Sequence, residues 1–242
     1  MFEPSMSSLE QFLHQEMVSA LGRAGLFLPE PFPPMQYPPP SLGGRGHLTH
    51  ALPLTLAAKS QLAVAELAQL LKSHLSGHPD YCCDVTPHYW LTFSLHSSLL
   101  TTHLELFWRQ EFGELTCDLG RELWVSTIEK TIEQTTNGLM EYTHASCCRY
   151  LRLARRLAIP HPWHGSWQFC DDHPQAIALA LVILMLSRRS CQLITTAHDF
   201  LNICPWIHEP QPIAQSRLGL IALTQKALAL VGGKHLKNYC EL

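Results

Sequence analysis

The chain of 242 residues is poor in charge: Asp, Glu, Lys and Arg together make up only 15% of it, against 46% hydrophobic residues. A disordered, self-repelling chain needs the opposite balance, so the composition supports a core-forming globular protein of one large or two small domains. Long apolar runs are missing too. The longest, residues 176–186, is too short and too poorly flanked to cross a bilayer. No early basic region opens the chain, and Glu3, Glu10 and Glu16 interrupt its first apolar residues, unlike a secretory signal. The expectation is a cytoplasmic protein with no membrane partner. No phosphate-cradling loop of the form G-x-x-x-x-G-K-(S/T) or G-x-G-x-x-G is present, and the glycine-rich SLGGRGHLTH, residues 41–50, is the nearest approach.

The nine cysteines contain no C-x-x-C pair. Cys82 with Cys83 and Cys147 with Cys148 are adjacent, which suits neither an ordinary disulfide nor a zinc knuckle. They read as reduced thiols, mostly buried as small apolar residues. Residues 161–173, HPWHGSWQFCDDH, bring His161, His164, Cys170, Asp172 and His173 together, residue types that ligate zinc. Their spacing matches no paired motif, so the expected reading is a loop packed by Trp163 and Trp167, with no metal and no cofactor. No Ser-His-Asp or Cys-His arrangement is recognisable. The glutamates between 105 and 133 fall mostly at exposed helical spacing, which fits a solvated face better than a catalytic carboxylate pair.

What charge there is lies unevenly. The net charge of −3 divides into −3 over residues 1–100, −5 over 101–141 and +5 over 142–242. A polyanionic partner should meet the C-terminal part and avoid the acidic middle.

Along the chain, residues 8–28 have the pattern of an amphipathic helix. Leu9, Phe12, Leu13, Met17 and Leu21 form its apolar side, and Ser7 with Glu10 fits a capping box. Seven prolines in residues 29–40 mark extended chain, expected to wrap over the protein's own surface. Residues 51–75 read as helix, broken near Ser60 and Gln61. Tyr89, Leu91, Phe93 and Leu95 alternate with mostly polar residues as in a strand. From residue 115 onward the pattern is helical almost throughout: 118–136, then 174–189 and 190–203, as two helices or one continuous one, and 213–231, the last apolar nearly all round. Gly232 and Gly233 are placed to cap it. The fold class expected is mainly α. Residues 1–40 form an N-terminal helix and proline-rich linker, 41–114 a small α+β domain, and 115–242 an all-α helical bundle. No internal repeat is present.

Residues 141–159, EYTHASCCRYLRLARRLAI, stand out. At about 100° per residue, Tyr142, Ala145, Arg149, Arg152 and Arg156 share one narrow stripe. Cys147, Leu151, Ala154 and Ala158 take the opposite side. Asn137 and Gly138 should break the chain before this helix, and Pro160 should end it at Ile159. Such a stripe suits nucleic acid, with arginines on phosphates and the tyrosine on a base. It equally describes the solvated face of an ordinary amphipathic helix.

Three segments resemble the DALR-type anticodon-binding domain of arginyl-tRNA synthetases. EYTHASCCRYLRLA is similar to the family's Tyr-Ala-x-Ala-Arg segment. RRSCQLITTAHDFLNICPW is similar to its helix ending in Phe-Asn and Cys-Pro. SRLGLIALTQKALALVGG, with Arg217, is similar to its closing Arg-Leu-x-Leu helix. Residues 44–75 and PHYWLTFSL resemble that family's N-terminal additional domain, which contacts the tRNA elbow. The segment between the two parts is too short for a nucleotide-binding catalytic domain. Neither a His-x-Gly-His box nor a Lys-Met-Ser-Lys-type loop is present, His47-Leu-Thr-His50 lacking the glycine. Ser146 stands where the family has the arginine of Tyr-Ala-x-Ala-Arg.

The resemblance implies a protein that is not an enzyme but a tRNA-binding accessory protein. Its RNA contacts would be Tyr142, Arg149, Arg152, Arg156 and Arg217. The partner would be tRNA, an arginine-specific one where the likeness extends that far. The alternative is a protein–protein adaptor that kept the fold and lost RNA binding, in keeping with Ser146 and the acidic balance.

Overall fold

The computed structural model describes residues 7–27, 29–37, 46–112, 137–159 and 167–231, with only the backbone for 110–112, 137 and 186–191. The expected helix over 118–136, the cap at Gly232 and Gly233, and residues 41–45 of the glycine-rich stretch lie outside them. Among the described residues the chain is mainly helical, with one three-stranded antiparallel sheet. It divides into two compact units, Leu9–Leu99 and Leu100–Leu242, the second also taking in the start of the chain through Ser8.

The first unit opens with α1, Ser8–Arg23. Leu9, Leu13, Met17 and Leu21 recur every four residues and are buried, as their spacing requires. Full burial of each contributes about 1.5–3 kcal/mol. The helix stops where Gly25 takes φ +66 and the Leu26 N–H reaches back to the Leu21 carbonyl, a Schellman closure. The proline-rich segment then runs along the sheet: the amides of Gln36 and Thr49 exchange hydrogen bonds of 2.9 and 2.6 Å. Phe32 sits between the rings of His14 and His50, at 4.3 and 5.0 Å.

Strands β1 (Leu48–His50), β2 (Tyr81–Val85) and β3 (Leu91–Leu95) pair in the order β1-β3-β2. Between the first two strands lie α2, Leu52–Ala57, and α3, Val64–Leu75, separated where the sequence puts Ser60 and Gln61. Tyr81 is buried against Phe12, His78 and Phe93. Tyr89 is not part of β3. It occupies the turn between β2 and β3 at φ +63, where its N–H bonds the Thr86 carbonyl. The turn geometry overrides the alternating pattern there.

Helix α4, Ser97–Phe112, starts just before the division. The second unit continues with α5 (Asn137–Arg156), α6 (Pro174–Leu184), α7 (Leu186–Ile203) and α8 (Gln211–Val231). Asn137 and Gly138 are the first residues of α5 rather than a break before it. First-turn amides lack intrahelical acceptors anyway, so asparagine and glycine are tolerated at a helix start. The break between α6 and α7 falls at Met185, φ −106 and ψ 24, earlier than the sequence suggests. Helix α8 packs on α5, α6 and α7. Its buried positions run all round the helix, from Ala214 to Val231. Gly219 is required there: a Cβ would stand 2.0 Å from Nε1 of Trp167, whose indole donates to the Gln215 carbonyl at 3.1 Å.

Candidate nucleic-acid interface

Helix α5 carries the candidate surface. Its inner side is fixed by burial of Thr143, His144, Ser146, Cys147 and Ala154. The Thr143 hydroxyl donates to the Leu139 carbonyl at 2.7 Å, and the His144 ring meets Gln225 of α8 at 3.3 Å. Cys147 and Ala154 therefore sit inside as their spacing indicates, while Leu151 is half-buried. Ala158 is exposed, because α5 ends at Arg156, before Ile159. Ala158 adopts φ +54, with the Ile159 N–H bonded to the Ala154 carbonyl and its own N–H to the Arg155 carbonyl. This is a Schellman closure with alanine in the place glycine usually takes.

The outer side presents Tyr142, Arg149, Arg152 and Arg156, all exposed. Tyr142 is 57% exposed, with its ring edge-on to His198 of α7 at 5.8 Å. The Arg149 guanidinium lies 5.3 Å from the Tyr150 ring centroid. Arg155 is exposed as well, although its angular position lies off the stripe. The helix ends one residue later, and a last turn has less of its circumference covered. Among the described residues no carboxylate pairs with Arg149, Arg152, Arg155 or Arg156. Arg155 and Arg156 also suit the negative end of the helix dipole. Beside this end lies a groove of about 370 Å³, lined by Leu157, Ala158 and Ile159 on one side and Trp206, Ile207 and His208 on the other.

Arg217 does not belong to this surface, contrary to the sequence expectation. It is buried, with Nε 2.6 Å from Asp171 Oδ2 and a terminal nitrogen 2.9 Å from Glu209 Oε1 and against the Pro205 carbonyl. Burial alone would lower its pKa, but the hydrogen bond and charge of Asp171 and the charge of Glu209 outweigh it and raise it. Apolar neighbours on α8 carry the arginine inward, so it acts as a clamp between α8 and the segments around Asp171 and Pro205. It is not positioned to meet a phosphate.

Asp171 and His173 are engaged in the same way, while Cys170 and Asp172 are exposed. Asp171 pairs with Arg217 and accepts the His173 N–H at 3.0 Å. His173 caps α6 by accepting the Gln175 N–H at 3.2 Å, and its Nδ1 lies 3.1 Å from Cys204 Sγ. Burial pushes the Cys204 thiol up to about 11. No three potential metal ligands gather among the described residues, while His161 and His164 lie outside them. No helix among the described residues is long and apolar enough to cross a membrane. No family model, curated protein or solved structure matches this chain.

Proposed function

We propose that the protein is a cytoplasmic, non-catalytic RNA-handling protein that holds tRNA against the outer side of α5. The second unit would then be a helical bundle of the DALR anticodon-binding kind, as the three resembling segments suggest. The observation that carries the reading is the exposed stripe of Tyr142, Arg149, Arg152 and Arg156, which no carboxylate of the described residues neutralises. Guanidinium groups on phosphates hold RNA without reading sequence. An exposed tyrosine at the head of a cationic track offers a platform for an unstacked base. The chain offers no nucleotide-binding motif for adenylate formation, so the reading includes no aminoacylation.

The test is an electrophoretic shift with total tRNA. Replacing Arg149, Arg152 and Arg156 by glutamate should abolish the shift and leave the helical circular dichroism unchanged, because the buried side of α5 is untouched. Retained binding by the triple variant would overturn the reading. The adaptor reading is favoured by one observation, the groove between Leu157–Ile159 and Trp206–His208 beside the arginines. It expects no tRNA shift even at low salt, and loss of a protein partner in the glutamate variant.

A further inference from the structure

The exposed edge of the sheet at β2 carries a second arrangement, in the first unit. Strand β2 is an edge strand, and its burial alternates: Tyr81 and Cys83 point inward, Cys82 and Asp84 outward. Cys82 faces Ser94 across the pair, and His96 follows two residues later, just past the end of β3. The Cys82 Sγ lies 3.6 Å from His96 Nε2, with both residues exposed. His96 Nδ1 bonds the Pro79 carbonyl at 2.7 Å, and the His96 N–H bonds the Asp80 carbonyl at 2.8 Å. A carbonyl can only accept, so the neutral ring carries its proton on Nδ1 and turns the lone pair of Nε2 to the thiol. Thiol, base and a group orienting the base are the parts of an activated nucleophile.

The described chain holds two other cysteine–histidine pairs, Cys148 with His144 at 3.9 Å and Cys204 with His173 at 3.1 Å. Both of those cysteines are buried. Cys83 and Cys147 are buried as well, and Cys170 is exposed but has no histidine among its hydrogen-bond partners. Only Cys82, among the six cysteines whose side chains are described, combines access with a base.

We propose that Cys82 and His96 form a reactive thiol site that exchanges with small disulfides of the glutathione class. His96 Nε2 takes the thiol proton, and the Cys82 thiolate attacks one sulfur of the disulfide. The bond from Cys82 Sγ to that sulfur forms as the S–S bond of the reagent breaks. The departing thiolate recovers the proton from His96, leaving a mixed disulfide on the chain and one free small thiol. No electrons are needed beyond those of the reagent disulfide. Cys83 does not compete as the second thiol, because the pleat turns it into the core.

The experiment treats the full chain with oxidised glutathione between pH 6 and 9 and reads each cysteine separately by peptide mass spectrometry. Cys82 should take the mixed disulfide first among the six cysteines whose side chains are described. His96→Asn should slow it several-fold at pH 7, because the base that takes the thiol proton is gone, and leave Cys170 at its own rate. Equal rates at Cys82 and Cys170, or an unchanged rate and pH profile in His96→Asn, would overturn the proposal. Label on Cys83 would reveal that His96→Asn has disturbed the fold. His96→Gln then decides: slower modification of Cys82 with Cys83 unlabelled supports the site, and an unchanged rate refutes it.

Discussion

His50 shows how much one buried side chain can govern. Its Nδ1 accepts the Leu52 N–H at 3.1 Å and its Nε2 meets the Pro33 carbonyl at 2.6 Å, so both ring nitrogens are committed in the neutral form. Burial pushes its pKa down to about 4 from an ordinary 6.5, against the Pro33 hydrogen bond. Between those values the unfolded chain binds the proton and the folded one does not. The stabilisation is therefore complete above about pH 6.5 and is lost as pH falls towards 4, by about 3 kcal/mol. Urea titrations at pH 7 and 4.5 should show that loss, and His50→Gln should make the pH dependence shallower; equal slopes would refute the assignment. Arg217 acts by charge instead. Arg217→Met leaves Asp171 buried without its cation and should cost about 3–5 kcal/mol in chemical denaturation. A loss below about 1 kcal/mol would mean that the clamp contributes little.

At the scale of elements, α5 carries a correctable flaw. Ala158 holds a left-handed conformation that glycine adopts freely. Ala158→Gly should raise stability by about 0.5–1 kcal/mol, read as a higher denaturation midpoint; a lower midpoint would mean that the closure forms differently. The helices with strong periodicity were legible in the sequence, as Leu9, Leu13, Met17 and Leu21 on α1 illustrate. So was the outward face of α5. Strand β2 was not, because Tyr81–Val85 holds two cysteines and an aspartate and offers little β-forming signal over so few residues. The inward turn of Arg217 was not legible either. An arginine amid apolar neighbours reads equally well as a surface cation or a buried clamp, and only Asp171, 46 residues earlier, decides between them. Arg155 was overlooked because the stripe argument assumes a helix covered along its whole length, and α5 ends at Arg156.

For the whole molecule, charge distribution sets how strongly a polyanion could be held. The chain is net −3, and the positive excess is confined to its C-terminal part. Three or four phosphate contacts by the α5 arginines correspond to a slope of about −2 to −3 in log affinity against log salt. Fluorescence titrations from 50 to 300 mM salt should give that slope; one near zero would exclude phosphate contacts as the source of binding. The notch at Gly219 bears on how such a chain can drift over generations. No side chain fits at that position while the indole of Trp167 occupies it. Their exchange is thus ordered: Trp167 must shrink before Gly219 can grow. A lineage that takes the steps in the other order passes through a misfit helix, so relatives of this chain that keep Trp167 should keep Gly219 as well.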